Sequence, residues 1–239
     1  SAFAAPVAVP EEKPKTAGKI LFVVTSHGEL GNTGRKTGYW LSEVTRPWKV
    51  LKDAGYEIDF MSPKGGECPV EGQNTSDPVN KAFAQDLSAQ KKINFTIKPS
   101  EVKPEEYKAI FFAGGHGVMW DFPDNKELAA ITSKIYENGG VVAAVCHGPA
   151  ALINVKLSNG KFLVDGKKIN SFTNSEEKGI GLDKVVPSAL ETALVKRGAK
   201  FQSSDNFQSH VVVNDRVITG QNPMSATAVG DAIRIALQN

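Results

Sequence analysis

The strongest candidate for chemistry in this 239-residue sequence is Cys146, which His147 follows directly. Gly139-Gly140 ends a predicted helix, five small apolar residues then predict a buried strand, and Gly148-Pro149 begins another helix. A cysteine at such a sharp strand-to-helix turn points out of the carboxyl edge of the sheet, toward the N–H groups of the next helix. These donors favour a thiolate, and the histidine can accept a proton. The pattern predicts a nucleophile; the alternative is a small buried core cysteine.

Glu43 is a second candidate, because it lies early in a predicted helix over residues 38–54. Its neighbours Trp40, Val44 and Pro47 indicate a less exposed position than most helical glutamates have. Burial raises the pKa of a carboxyl group, and a protonated carboxyl can donate a hydrogen bond to a thiolate. The alternative is an ordinary solvated charge.

Two further groups of candidates follow predicted strands. The predicted strand 107–113 ends in Gly114, Gly115 and His116, where glycines allow close backbone approach and free N–H groups can accept an anion. His116 either reaches the site or is a turn histidine. After the predicted strand 167–172 come Glu176 and Glu177, either of which can hold an imidazole in place; the alternative is a pair of plain loop acids.

Composition excludes several function classes. The net charge is +2 without a basic stripe, which argues against nucleic-acid binding. No apolar run approaches the roughly 20 residues of a membrane span, so no membrane partner is expected. The glycine-rich loop over residues 26–37 resembles a phosphate-binding loop, but Arg35 stands where that motif requires glycine. We therefore expect no nucleotide.

The N-terminus and the second cysteine carry weaker expectations. Ser1–Ala5 has the small-x-small pattern that ends a signal peptide, so residues 1–18 are predicted to be an N-terminal extension, the remnant of a signal peptide plus a linker. A single domain over residues 19–239 follows. This favours export, for example to the periplasm, over the alternative of a cytoplasmic protein. Cys68 lies among glycines and prolines and is predicted to be a surface thiol.

Strands and helices alternate throughout the chain, which predicts an α/β fold with a mostly parallel sheet covered on both faces. The predicted strands are 19–25, 56–61, 107–113, 141–145, 167–172, 200–202, 210–213 and 216–219. The predicted helices are 38–54, 79–87, one that a capping box at Asp124–Glu127 begins and that ends at Asn138, a short one to about Ile153, 182–197, and one from Asn222-Pro223 to the C-terminus.

Several separated motifs together resemble the ThiJ/PfpI superfamily. They are Lys36-Thr-Gly38 with Glu43 and Pro47, Ala113-Gly-Gly-His-Gly117 before Asp121-Phe-Pro123, Ala144-Val-Cys-His-Gly-Pro-Ala150, Phe172-Thr-Asn-Ser-Glu-Glu177, and Thr219-Gly-Gln-Asn-Pro223. The resemblance implies a flavodoxin-like three-layer sandwich of the class I glutamine amidotransferase-like type. Within the superfamily the chain looks like the glutathione-independent glyoxalases (glyoxalase III), which are also described as protein deglycases and holding chaperones.

The resemblance also implies roles for individual residues. Cys146 would be the nucleophile, His147 its base, Glu43 the helix carboxyl that contacts the thiol, and Glu177 the third triad acid, with Glu176 as a substitute. Gly115 and the backbone of His147 would bind an oxyanion, and Gly114 and His116 would lie at the substrate.

The implied activity is the conversion of methylglyoxal-type 2-oxoaldehydes to 2-hydroxy acids by a lyase of the lactate dehydratase type, without cofactor, metal or glutathione. Glycated or unfolded proteins as further partners and a homodimer are also implied. The alternatives are a holding chaperone or oxidative-stress sensor, and a cysteine peptidase or amidase of the same superfamily.

Overall fold

The computed structural model describes residue 7 and residues 16–239. Its strands are β1 Lys19–Val23, β2 Tyr39–Trp40, β3 Glu57–Met61, β4 Val70–Glu71, β5 Tyr107–Phe112, β6 Val141–Val145, β7 Lys168–Ile169, β8 Lys200–Phe201, β9 Val211–Asn214 and β10 Val217–Gly220. Its α-helices are α1 Leu41–Asp53, α2 Pro78–Gln85, α3 Leu87–Asn94, α4 Val118–Asp121, α5 Lys126–Glu137, α6 Asn174–Gly179, α7 Leu190–Lys196 and α8 Ala226–Gln238. Short 3-10 helices cover Pro99–Glu101, Pro104–Glu106, Gly148–Leu152 and Pro223–Ser225.

Six strands form the central sheet in the order β3-β1-β5-β6-β10-β9, and only β9 runs antiparallel to its neighbour. The central strands are apolar over most of their length, as expected for a sheet that helices cover on both faces. In the register of β5 and β6, Phe112 pairs with Ala144. The turn after β5 and the turn after β6 therefore lie side by side at the carboxyl edge of the sheet.

The side chains of each strand alternate between two cores, as the two-residue period of a strand requires. Along β1, Leu21 and Val23 join the core beneath α5, whereas Ile20 and Phe22 join the core beneath α1 and α8. All four are fully buried. At about 1.5–3 kcal/mol for each large apolar side chain, these two cores provide most of the energy that holds the helices to the sheet.

Helix α1 carries Glu43 and packs against α8. Its residues Val44, Trp48 and Leu51 recur at helical spacing and are buried. The two helices approach closely where Gly230 faces Pro47, since a Cβ at Gly230 would lie 2.9 Å from the Cα of Pro47. This packing holds a helix that an internal proline would otherwise weaken.

The structure corrects two of the longer predicted elements. The predicted strand 167–172 is reduced to β7, which pairs with β8 outside the central sheet. The predicted helix 182–197 is reduced to α7, because Pro187 disfavours helical backbone in the residue before it. In addition, the helices α3, α4 and α6 and the short strands β2 and β4 were not predicted.

Helix starts also differ from the prediction. Asn125, not Asp124, caps α5 and accepts a hydrogen bond from the Leu128 N–H. Asn222 makes no capping hydrogen bond, and α8 begins at Ala226 after a 3-10 turn. The side chain of Asn222 instead donates a hydrogen bond to Glu176.

Two observations bear on the ends and the surface of the chain. The predicted signal-peptide remnant, Ser1–Ala5, falls outside the described residues. Within residues 16–239, no helix combines the length and the apolar character that crossing a membrane would demand.

Candidate active site

Cys146 occupies the sharp turn after β6 that the sequence predicts. Its φ angle is 61°, a left-handed value that costs a non-glycine residue about 1–3 kcal/mol. Two backbone hydrogen bonds hold this conformation: the Cys146 N–H donates to the Gly220 carbonyl at 2.9 Å, and the Phe172 N–H donates to the Cys146 carbonyl at 2.8 Å. The turn also requires glycine at position 148, because a Cβ there would lie 2.2 Å from the Phe112 carbonyl oxygen.

His147 is placed between the thiol and a carboxylate. Its Nδ1 lies 3.5 Å from the Cys146 Sγ, and its Nε2 lies 2.6 Å from Oε2 of Glu177. Because an ionised carboxylate can only accept, the ring proton belongs on Nε2, which leaves the lone pair of Nδ1 facing the thiol. The arrangement prepares His147 to take the proton of Cys146.

Glu177 also contacts a second histidine. Its Oε1 lies 2.7 Å from Nε2 of His116, whose ring is 4.1 Å from the ring of His147. Burial alone would raise the pKa of Glu177, but the hydrogen bonds from His116 and His147 outweigh burial and lower this pKa to about 2. Burial, followed by the proximity of His116, lowers the pKa of His147. At neutral pH the carboxylate is therefore ionised and the imidazole of His147 is neutral.

The structure separates the two candidate acids that the sequence left open. Glu176 is fully buried and closes a capping box with Thr173 at the start of α6. Its Oε2 accepts hydrogen bonds from the Asn222 amide at 3.0 Å and from the Phe207 N–H at 2.9 Å. Glu177, and not Glu176, therefore contacts His147.

Glu43 approaches the elbow from α1 and is 1% exposed. Its Oε1 accepts a hydrogen bond of 2.8 Å from the Gly114 N–H. Its Oε2 is buried and makes no hydrogen bond to a described residue. Burial raises the pKa of Glu43 to about 8, although the Gly114 N–H and the Cys146 thiol act in the opposite direction. Glu43 is thus a neutral carboxylic acid at neutral pH.

The sequence-based expectation of a resting thiolate is wrong. Burial raises the pKa of the Cys146 thiol well above its ordinary value, and the charges of Glu43, Glu177 and Glu176 raise it further. The N–H of His147 lowers this pKa, but the helix that follows is only a five-residue 3-10 helix and is too short to compensate. Protonation of Glu43 removes one of the opposing charges, so a thiolate forms more readily while Glu43 is neutral.

Two backbone N–H groups remain available for a developing negative charge. Within residues 16–239 the N–H of Gly115 donates to no backbone carbonyl, the N–H of His147 is directed at the Cys146 sulfur, and both residues line the cavity above Cys146. Gly115 has a φ of 102°, and a Cβ there would lie 2.1 Å from the Gly38 carbonyl oxygen, so no side chain fits. The N–H of Gly114, by contrast, is committed to Glu43.

The cavity has a volume of about 780 Å³. Its floor contains Cys146, His147, His116 and Glu43. Its outer wall combines charged and polar side chains, such as Arg46 and Asp77, with the apolar side chains of Trp40, Phe172, Ile180, Leu182, Phe207 and Met224. Sequence reasoning missed these wall residues. Phe207 lies in a loop, with a left-handed φ of 59°, and Met224 lies in the 3-10 helix before α8; both are far along the chain from Cys146, and no local sequence signal marks them.

Cys68 is not a surface thiol. It is 8% exposed, and its Sγ lies 3.7 Å from both the Gly66 carbonyl and Oγ1 of Thr96. Burial raises the pKa of this thiol. Both cysteines are free, so no disulfide joins Cys68 to Cys146.

The chain is similar in sequence to proteins of one known family. Residues 36–234 match the DJ-1/PfpI family. A glutathione-independent glyoxalase of Saccharomyces cerevisiae is 32% identical over 92% of this chain and 98% of its own length. Glyoxalase 3 of Candida albicans is 31% identical over 92% of this chain and 98% of its own.

Solved structures agree with the sequence comparison. The Rapid Encystment Protein of 24 kDa from Francisella tularensis has a TM-score of 0.89 at 43% identity, covering 93% of this chain and all of that one. Glyoxalase III from Candida albicans has a TM-score of 0.83 at 29% identity, covering 92% of this chain and 97% of that one. The predicted flavodoxin-like, class I glutamine amidotransferase-like fold and the resemblance to ThiJ/PfpI proteins are confirmed: this chain belongs to the DJ-1/PfpI family.

Proposed function

We propose that this chain is a glutathione-independent glyoxalase, a lyase that converts 2-oxoaldehydes such as methylglyoxal to 2-hydroxy acids. The observation that carries the proposal is the Cys146 thiol, which faces the lone pair of a neutral, carboxylate-held His147 at the floor of an open cavity. Relatives that are similar over nearly their whole length have the same named activity. The reaction is an internal redox rearrangement followed by hydrolysis, so it requires no cofactor.

The first step forms a hemithioacetal. The sulfur of Cys146 attacks the aldehyde carbon while its proton passes to Nδ1 of His147. The carbonyl oxygen becomes an oxyanion that the N–H groups of Gly115 and His147 stabilise. The imidazolium then returns the proton to this oxygen, and His147 is again neutral.

The second step moves hydrogen between the two carbons of the substrate. His147 removes the C1 hydrogen as a proton, and an enediol forms when the C2 oxygen is protonated. Reprotonation at C2 and loss of the C1 hydroxyl proton give a thioester on Cys146. Water hydrolyses this thioester, releases the 2-hydroxy acid and restores the thiol. Glu43 is mostly neutral at neutral pH because its pKa is about 8, so it stabilises charge at the sulfur and only a minor fraction of it is available as a base.

The test is lactate formation from methylglyoxal by purified protein without glutathione. We expect activity in the wild type and in the Cys68→Ser control, and a loss of at least about a thousandfold in Cys146→Ser, which lacks the nucleophile. Circular dichroism of each variant would verify folding. Lactate production that persists in Cys146→Ser would overturn the assignment.

One observation favours a second activity, holding unfolded or glycated proteins. Three apolar side chains at the mouth of the cavity are unusually exposed: Ile180 at 43%, Phe207 at 36% and Met224 at 59%. An apolar rim of this kind can bind an extended chain. Suppression of client aggregation that survives Cys146→Ser but is lost in the double variant Phe207→Ser, Met224→Ser would support this role. Suppression unaffected by the double variant would exclude the rim.

A further inference from the structure

Three potential metal ligands converge on one point beside the nucleophile. One ligand atom each from His116, His147 and Glu177 lies within 4.8 Å of the others. Both histidines direct Nε2 at the same carboxylate, at 2.7 Å from Oε1 and 2.6 Å from Oε2. Their side chains are between 1% and 16% exposed. This is a preformed, mostly buried cluster, unlike the loose groups of surface acids that commonly occur without a metal.

The chemistry of the cluster matches one class of metal ion. Two imidazole nitrogens and one carboxylate oxygen form a set that zinc binds in proteins, with a fourth position left for water. Oxygen-seeking ions such as magnesium and calcium prefer more carboxylate and carbonyl ligands. Both His116 and His147 line the cavity, which provides a route for the ion and space for a water ligand.

Admitting the ion requires a local rearrangement of the three ligand atoms, which lie within 4.8 Å of one another. Zinc ligands lie about 2.0–2.2 Å from the metal, so neighbouring ligand atoms in a tetrahedral site are roughly 3.3 Å apart. The present separations of 2.6 and 2.7 Å must therefore open by roughly 0.6 Å as the two hydrogen bonds are replaced by coordination. Glu177 lies in the short helix α6, and His116 lies in the turn between β5 and α4, so neither is within a strand of the central sheet.

We propose that His116, His147 and Glu177 bind a zinc ion, and that the bound ion inhibits the enzyme by reversing the orientation of the His147 base. In the metal-free site the ring proton is on Nε2, and Nδ1 offers its lone pair to the Cys146 thiol. Coordination through Nε2 displaces that proton, so the neutral ring must carry its proton on Nδ1. Nδ1 then becomes a donor and cannot accept the proton of Cys146.

Zinc binding and inhibition of the enzyme by zinc can be tested separately. Zinc binding depends only on the three ligands, whereas inhibition also rests on the proposed glyoxalase function. The ion would act as a reversible inhibitor, because chelation restores the hydrogen bonds of the metal-free site. Direct capture of zinc by the Cys146 thiol is the competing explanation for any inhibition, and the experiment must exclude it.

The experiment measures zinc affinity of the full chain by competition with a chromophoric chelator, using zinc sulfate alone as the probe. We expect one ion per chain in the wild type, a similar affinity in Cys146→Ser, and a loss of at least about tenfold in His116→Ala and in Glu177→Gln. His27→Ala is the matched control, because His27 is a histidine outside the cluster, and it should bind like the wild type. Circular dichroism would verify that each variant is folded.

The possible results distinguish the zinc site from the inhibition and from the proposed function. No binding to the wild type, or binding that is lost in Cys146→Ser and kept in His116→Ala and Glu177→Gln, would overturn the site. If zinc binds as described, lactate formation should fall on adding one equivalent and recover on adding EDTA. Binding without any such fall would overturn the inhibition. A wild type that binds zinc but makes no lactate even without metal would refute the proposed function and leave the site intact.

Discussion

Replacing Glu43 with glutamine should abolish the decline in kcat/KM that we expect for the wild type at alkaline pH. Burial raises the pKa of Glu43 to about 8, so the carboxyl is neutral at lower pH and becomes an anion beside the thiol at higher pH. The anion opposes negative charge on the sulfur. With a pKa of about 8, the neutral fraction falls to about one tenth near pH 9, and it falls tenfold for each further unit. The value of kcat/KM should decline in parallel, since it reports the titration of the free enzyme.

Glu43→Gln is neutral at every pH, and its side-chain oxygen can still accept from the Gly114 N–H. We therefore expect kcat/KM for methylglyoxal to be flat between about pH 7 and 9.5 in this variant. Glu29→Gln, which removes an exposed carboxylate, is the control and should keep the wild-type profile. Infrared difference spectra provide a direct check, because the protonated carboxyl band of Glu43 should disappear near pH 8 in the wild type alone.

The sign of this effect makes the test decisive. Ionisation of the Cys146 thiol would increase reactivity as the pH rises, whereas ionisation of Glu43 decreases it. A wild-type profile that is flat or rising through about pH 10, or an alkaline decline that persists unchanged in Glu43→Gln, would refute the reasoning.

Three further substitutions test the support of the site. Gly114→Ala should lower kcat/KM by at least about tenfold and stability by about 1–3 kcal/mol in urea unfolding, because its Cβ would lie 2.5 Å from Oε1 of Glu43; wild-type kinetics would contradict this. Cys68→Ser should change stability by about 1 kcal/mol at most and leave lactate formation unchanged, since a hydroxyl can use the same neighbours; a kinetic defect would place Cys68 in the site. Asn222→Ala should cost about 1–3 kcal/mol by leaving Glu176 under-satisfied, and unchanged thermal unfolding would exclude that role.

The sequence predicts the part of the fold that positions Cys146 well, for a physical reason. Strands β5 and β6 are mostly apolar runs that are followed by turns containing glycine, and both features are local. Parallel pairing then places the two turns at one edge of the sheet. Shorter elements such as β7 depend on a partner distant in sequence, so their extent was predicted poorly.

The choice between Glu176 and Glu177 was open at the level of the sequence, although a usable signal was present. Thr173 and Glu176 have the spacing of a capping box, which commits Glu176 to the start of α6 and leaves Glu177 free for His147. The burial of Cys68 had no comparable signal. It depends on the segment around Thr96, which bridges to Gly66 from about thirty residues away.

The resting charge of Cys146 shows why local reasoning fails at the site itself. A strand-to-helix turn favours a thiolate, but burial and the carboxyl groups of Glu43, Glu176 and Glu177, which lie in two separate helices, decide the pKa of this thiol. The same surroundings divide the acids by function: Glu177, with two imidazole donors, has a pKa of about 2, whereas Glu43, with one backbone donor, has a pKa of about 8. Glu177 therefore stays ionised and holds the His147 base in place, whereas Glu43 stays neutral and permits negative charge on the Cys146 sulfur. A neutral thiol that is deprotonated only when substrate is present follows from this division, because His147 takes the proton as the carbon–sulfur bond forms.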